Sequence, residues 1–279
     1  FRELGISSSF VKGLTELNII EPTYIQAEVI PVLLAGATDV VAQAQTGTGK
    51  TAAFGLPLLE QIDHKMTAVQ GLILCPTREL AQQVAKQLFK FTKYSDKIFA
   101  ESVYGGEHIE RQIVALRRTT HIVVATPGRL IDLVERKAVD LSAVKTVVLD
   151  EADEMLSMGF KKELDEILSF LPAVENKWLF SATIPHGIQE IISEHLAEDA
   201  VRIEVKHGDI VNHKISHQYV ICEDSDKLYA LQQFLKSEQE NRGVIFCKTK
   251  AAAKRLSLQL IAKNIATDAI HGDLLQKER

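Results

Sequence analysis

Short apolar runs without polar alternation recur at 39–43, 71–75, 99–104, 121–125, 146–150 and 178–181, separated by stretches of helical period. No other feature limits the possible folds so tightly. Runs of Val, Ile and Leu that do not alternate with polar residues mark strands covered on both faces, the condition of a parallel sheet. Leu80, Val84, Leu88 and Phe91 share one helical face, as do Phe160, Leu164, Ile167, Leu168 and Leu171. Strand and helix in alternation predict an α/β fold, a doubly wound parallel sheet whose ligands sit at the carboxyl ends of its strands. With 46% apolar and 25% charged residues among 279, the chain has enough core for one large domain or two smaller ones.

A shorter series follows. Strands are expected over 216–222 and 243–247, helices over 226–237 and 250–263, and a further strand over 267–270. The polar stretch 205–215, with His207, Gly208, Asp209, Asn212 and His213, reads as a linker. So few strands cannot enclose an α/β core, so the second unit is expected to be cut short at Arg279. The expected division is a first domain over 1–204, a linker over 205–215 and a partial second domain over 216–279.

No uncharged apolar run reaches the 18 residues of a membrane span, so none is expected. Phe1 opens no basic-then-apolar leader, so no signal peptide is expected and a cytoplasmic location is. The three cysteines lack metal-ligand spacing; Cys75 and Cys247 close apolar runs and read as buried thiols in a reducing compartment. A net charge of −5 does not advertise nucleic-acid binding, nor exclude it, because a local patch can hold phosphate on an acidic protein.

The strongest chemical signal is Ala44-Gln45-Thr46-Gly47-Thr48-Gly49-Lys50-Thr51, directly after a strand and before a helix. Glycines let backbone N–H groups turn toward phosphate oxygens, and a helix N-terminus favours their charge. Lys50 would reach the β- and γ-phosphates and the Thr51 hydroxyl would hold Mg²⁺. Ala44 stands where the general pattern has Gly. The second signal is a strand ending in Asp150-Glu151-Ala152-Asp153. Asp150 is placed to hold Mg²⁺ through water and Glu151 to orient or deprotonate an attacking water. Alone, such acids would serve equally well as a helix cap.

Together these motifs resemble the DEAD-box RNA helicases, whose name is the Asp150–Asp153 tetrapeptide, and the likeness runs through nearly the whole chain. The resemblance implies a RecA-like first domain and the start of a second, with ATP and Mg²⁺ as cofactors. It also implies single-stranded RNA and RNA duplexes as partners, no membrane and a monomer. Pro22-Thr23-Tyr24-Ile25-Gln26 is similar to the family's adenine-reading segment, with Phe1 at its upstream aromatic position and Ile19, Thr23 and Gln26 beside the base. Asn18-Ile19 replaces the usual Gly-aromatic pair and Tyr24 the usual Pro. Asn tolerates the left-handed backbone such a turn needs, but Ile19 brings no ring. Asp153, Ser181 and Thr183 match positions that couple hydrolysis to strand separation. Pro76-Thr77-Arg78, Gly105-Gly106 and Thr126-Pro127-Gly128-Arg129 resemble the RNA-contacting loops of the first domain. Phe246 and His271-Gly272-Asp273, continuing through Gln276 and Arg279, resemble early motifs of the second, and the resemblance implies RNA binding by Phe246, Gly272 and Asp273. The family's later motifs, with its arginine fingers, are expected to lie past Arg279.

The RNA loops also follow strands, and so sit at the ligand edge. Small residues and N–H groups there, with Arg78 and Arg129 available to phosphates, would position a strand without reading its bases. The remaining features have ordinary readings. His64, His108, His186 and His195 are scattered and solvated, Lys161-Lys162 is an exposed helix face, and Trp178 and Phe180 are core. Lys248, Lys250, Lys254 and Arg255 suit an RNA backbone or a solvated helix equally. Two rival functions remain: another P-loop nucleic-acid ATPase, and a nucleotide- or RNA-binding fragment without turnover.

Overall fold

Parallel pairing joins seven strands into one sheet: β1 (Val40–Gln43), β2 (Gly71–Leu74), β3 (Ala100–Val103), β4 (Ile122–Ala125), β5 (Thr146–Leu149), β6 (Asn176–Ser181) and β7 (Val201–Glu204). This computed structural model describes residues 1–36, 39–204, 216, 218–238 and 241–274, and it divides into two units, Phe1–Gly208 and Asp209–Arg279. The strand order is β3-β4-β2-β5-β6-β1-β7, with every pair parallel. All four residues of β2, β4 and β5 are buried, which is why those runs carry no polar alternation.

The first unit's helices are α1 (Ser8–Glu16), α2 (Tyr24–Leu34), α3 (Lys50–Gln61), α4 (Arg78–Phe91), α5 (Ile109–Leu116), α6 (Pro127–Glu135), α7 (Ala152–Ser157), α8 (Lys161–Ser169) and α9 (His186–His195). Side chains alternate across each strand and divide the core in two. Val40, Ala42, Ile73, Trp178 and Phe180 pack against α1 to α4; Val41, Leu72, Leu74, Leu179 and Val147 pack against α6 to α9. Trp178 and Phe180 are wholly buried, as their sequence suggests, and the Phe180 ring lies 5.1 Å from that of Phe54. No helix among the described residues is long and apolar enough to cross a membrane.

Strand β7 has no counterpart among the runs read from the sequence. It is an edge strand, pairing only with β1, and Val201, Arg202 and Glu204 are exposed. A strand with one neighbour and a wet surface needs no apolar run. The linker 205–215, and with it His207, Gly208, Asp209, Asn212 and His213, lies outside the described residues.

In the second unit the two helices form as expected, α10 (Lys227–Ser237) and α11 (Lys250–Ile261). The strands expected over 216–222, 243–247 and 267–270 do not pair among the described residues. Ile221 and Phe246 are 89% and 94% exposed, and Cys247 is half-buried rather than buried. Apolar runs become strands only where a neighbouring strand takes up their N–H and C=O groups.

At the amino edge of the first unit's sheet, Asp39 ties three segments together. Its carboxylate accepts from the backbone N–H of Lys177 at 2.7 Å, from that of Ala197 at 2.8 Å and from Lys177 Nζ at 3.3 Å. The side chain is 4% exposed, so water cannot replace these bonds. An Asp39→Ala variant leaves buried donors unpaired on β6 and before β7, and should lose about 2–4 kcal/mol in urea unfolding. A loss below about 0.5 kcal/mol, the range of ordinary surface changes, would contradict this account.

Candidate functional site

Because every strand runs the same way, every strand-to-helix loop that carries a motif emerges at one edge. The strand order then sorts the motifs. The phosphate loop follows β1, Ser181 ends β6 and Asp150 follows β5, three adjacent strands. Pro76 to Arg78 follow β2, Thr126 to Arg129 follow β4 and Gly105-Gly106 follow β3, the next three. The nucleotide motifs and the polymer motifs thus occupy separate halves of the edge.

In the first half the phosphate loop turns on Gly47 (φ 77°) and Gly49 (φ 92°), the latter capping α3. Lys50 is 6% exposed, and its Nζ donates to the Ala44 carbonyl at 3.2 Å. Thr48 Oγ1 closes the turn on the Gln45 carbonyl at 2.7 Å, and Ala44 N–H bonds to the Ser181 carbonyl at 2.9 Å. Thr46 lies on the exposed rim and Thr51 is half-buried in the first turn of α3.

The adenine-type segment packs directly on this loop. Gln26 Nε2 donates to the Gly49 carbonyl at 3.0 Å, while its Oε1 accepts from Thr23 N–H at 2.9 Å. A Cβ on Gly49 would sit 2.4 Å from Gln26 Nε2 and push that amide aside, and the φ of 92° itself favours glycine. Both heteroatoms of Gln26 are therefore engaged within the protein, leaving one amide hydrogen and one lone pair for a base. Asn18 adopts φ 57°, so the turn does survive without glycine. Phe1 and Ile19 are half-buried against the core beneath α1 and α2.

Asp150 follows β5 at 2% exposure, and its Oδ1 has no hydrogen-bond partner among the described residues. Burial pushes its pKa up to about 7; Lys50 pulls it back and Glu151 adds to the rise. Glu151 has φ 52° and ψ 52°, left-handed backbone that costs a non-glycine residue on the order of 1 kcal/mol and gathers at functional sites. Asp153 accepts from Thr183 N–H at 2.9 Å and Thr183 Oγ1 at 2.8 Å, and its own N–H donates to Ser181 Oγ at 3.2 Å. Burial alone would raise the Asp153 pKa, but these bonds to Thr183 and Ser181 hold it below the ordinary value. Ser181 Oγ in turn donates to the Thr183 carbonyl at 2.6 Å. The three residues predicted to couple the site are one hydrogen-bonded web.

An ammonium at the phosphate loop and an unpartnered buried carboxylate oxygen on a nearby strand fit a triphosphate with a hard divalent cation. Asp150 and the Thr51 hydroxyl are oxygen donors of the kind Mg²⁺ takes. Elsewhere, Asp165, Glu194 and His195 form a cluster compact enough for a cation, with His195 Nε2 at 2.9 Å from Asp165 rather than solvated. Lys161 Nζ, 3.4 Å from Asp165 and 3.6 Å from Glu194, already balances that charge, so Lys161 is an ion-pair hub and not a bare helix face.

In the second half the loops brace one another. Thr77 caps α4 through Leu80 N–H at 3.2 Å, and Arg78 Nη1 lies 3.0 Å from where a Gly106 Cβ would stand. Gly105 N–H donates to Thr126 Oγ1 at 3.3 Å, and Arg129 Nη2 donates to the Glu107 carbonyl at 3.1 Å. The Arg129 side chain is only 10% exposed, with Nε and Nη1 shut off from solvent. In this structure the Arg129 guanidinium turns inward and holds the neighbouring loop through Nη2, while Nε and Nη1 have no hydrogen-bond partner among the described residues. Pro127 and Gly128 begin α6, where Pro suits the first turn.

Gln112, which belongs to none of the motifs, also shapes this edge. It is 5% exposed, and exchanges bonds of 3.2 and 3.0 Å with the Tyr104 backbone, fixing the approach to Gly105. A glutamine on the apolar face of Ile109, Ile113 and Leu116 was the available signal. In the second unit, Phe246 is exposed, Gly272 has nothing within 4 Å of its Cβ position, and Asp273 accepts from Lys250 Nζ at 2.7 Å. Gln276 and Arg279 lie outside the described residues.

The motif-bearing loops of this α/β domain thus share one edge, and residues 23–191 match the DEAD/DEAH box helicase family model. The chain belongs to that family. It is 43% identical over its whole length to the DEAD-box ATP-dependent RNA helicase CshA of Bacillus cereus, covering 53% of that protein. It is 44% identical to the RNA helicase CrhR of Synechocystis, covering 56% of it. The chain thus spans about half the length of these relatives. Among solved structures, a DEAD box protein from Methanococcus jannaschii aligns over 99% of this chain and 74% of its own, at 38% identity and TM-score 0.70. Saccharomyces cerevisiae Dbp5 bound to RNA and ADP BeF3 aligns over all of this chain and 71% of its own, at 29% identity and TM-score 0.89.

The raised Asp150 pKa has a signed consequence for stability. Between its ordinary 3.8 and about 7, the native chain binds a proton that the unfolded chain does not. Stability in metal-free buffer should therefore fall as pH rises across that window and level off above it. Asp150→Asn should flatten this part of the urea-unfolding profile. A slope unchanged by the substitution would mean that Asp150 is ionised throughout.

Proposed function

We propose that the chain is the core of an ATP-dependent RNA helicase, binding ATP with Mg²⁺ on the β1-β6-β5 half of the edge and a single RNA strand on the β2-β4-β3 half. The observation that carries this reading is the buried, unpartnered Asp150 oxygen within electrostatic reach of Lys50, in a chain of this family. Lys50 gives up the Ala44 carbonyl for the β- and γ-phosphates, and the backbone N–H groups from Gly47 to Thr51 cradle the rest. Thr51 and Asp150 would hold Mg²⁺, which would neutralise charge on the phosphates. Glu151, set by its left-handed backbone at the start of α7, orients the attacking water and takes its proton. Thr23 and Gln26 link base occupancy to the loop through Gly49.

The web of Asp153, Ser181 and Thr183 spans the ends of β5 and β6, so a shift of Asp150 or Glu151 on hydrolysis moves Thr183 with it. Phosphate and 2′-hydroxyl contacts from the braced loops position RNA without reading its sequence. ATP turnover is coupled through this web to local separation of duplex.

The test is hydrolysis with and without polymer. In protein that carries the motifs expected past Arg279, single-stranded RNA should stimulate ATP turnover, and DNA of the same sequence should not replace it. Glu151→Gln should retain ATP binding in calorimetry while turnover falls about 10²–10⁴-fold. Equal stimulation by DNA would overturn the RNA assignment; undiminished turnover in the variant would overturn the role of Glu151.

A further inference from the structure

Helix α4 presents two faces. Ala81, Val84, Leu88 and Phe91 are buried against the sheet, while Gln82, Lys86, Phe89 and Lys90 are exposed. Phe89 stands 72% exposed, more than any other large apolar side chain among the described residues of the first unit. From 80 to 95 the sequence has three lysines and no acidic residue, on a chain of net charge −5. Lys93 is paired with Glu16, whereas Lys86 and Lys90 have no ion pair among the described residues.

Positions 82, 86 and 89 share one helical face, so these groups form a stripe. It starts at the polymer half of the edge: Gln82 Nε2 donates to the Tyr104 hydroxyl, and Tyr104 precedes Gly105-Gly106. From Gln82 to Lys90 the helix advances about 12 Å, at 1.5 Å per residue.

We propose that this face extends the RNA path, taking phosphates of flanking nucleotides on Lys86 and Lys90 while a base stacks on Phe89. Unpaired lysines ask for an anion, and an exposed ring among them asks for a flat apolar partner. Single-stranded nucleic acid offers both at short intervals. The inference rests on the RNA-binding reading above and adds to it a surface outside the strand-end loops.

Affinity should be measured for RNA of about 6 nucleotides and of about 16, the longer one extended on either side. The longer RNA should bind more tightly when extended on one side only. Lys86→Glu with Lys90→Glu should abolish that gain and lower the salt slope by about 1.4, for two phosphates, while leaving the short RNA and ATP binding unchanged. Phe89→Ala should cost the longer RNA about 5-fold or more. A length gain that survives charge reversal, or no length gain where the short RNA binds, overturns this inference alone. Failure of both RNAs to bind would instead overturn the RNA-binding reading itself.

Discussion

Parallel pairing is the constraint on which the rest depends. A parallel sheet sends all its strands' carboxyl ends to one edge and must return the chain by helices, which then bury both faces. The first unit obeys this throughout, from Val40 opposite Trp178 and Val201 to Ala125 opposite Leu74 and Val103. Motifs from 44 to 183 therefore meet along one line although they are far apart in sequence. Their grouping into two halves follows from strand order alone.

Within that frame the nucleotide half is costly to fold. An ammonium at the start of α3 and a carboxyl group after β5 are both buried, and a glutamic acid takes a left-handed backbone. Such groups are tolerated because two large apolar layers surround them. The polymer half uses a different device. Its loops are held by nearby side chains, Thr126 on Gly105, Arg129 of α6 on Glu107 and Gln112 of α5 on Tyr104, so the edge is braced from within.

Much of this was legible in the residues. Runs such as Gly71–Leu74 and Thr146–Leu149 announce buried strands because nothing else explains so little polarity, and Gly47 to Lys50 announce their loop through spacing. What escaped did so for physical reasons. Strand β7 is wet and looks like loop. The apolar run at 243–247 looks like a strand, but pairing is a property of neighbours, not of the run. Arg129 and Gln26 have the right chemistry to meet ligands, and only coordinates reveal that Glu107 and Gly49 already engage them.

The left-handed backbone at Glu151 also bears on how the chain can change. Glycine would adopt φ 52° without steric cost, so selection for stability alone would favour it there. The carboxylate is held against the chain's own conformational preference, and under the role proposed for Glu151 folding stability and chemistry pull this one position in opposite directions.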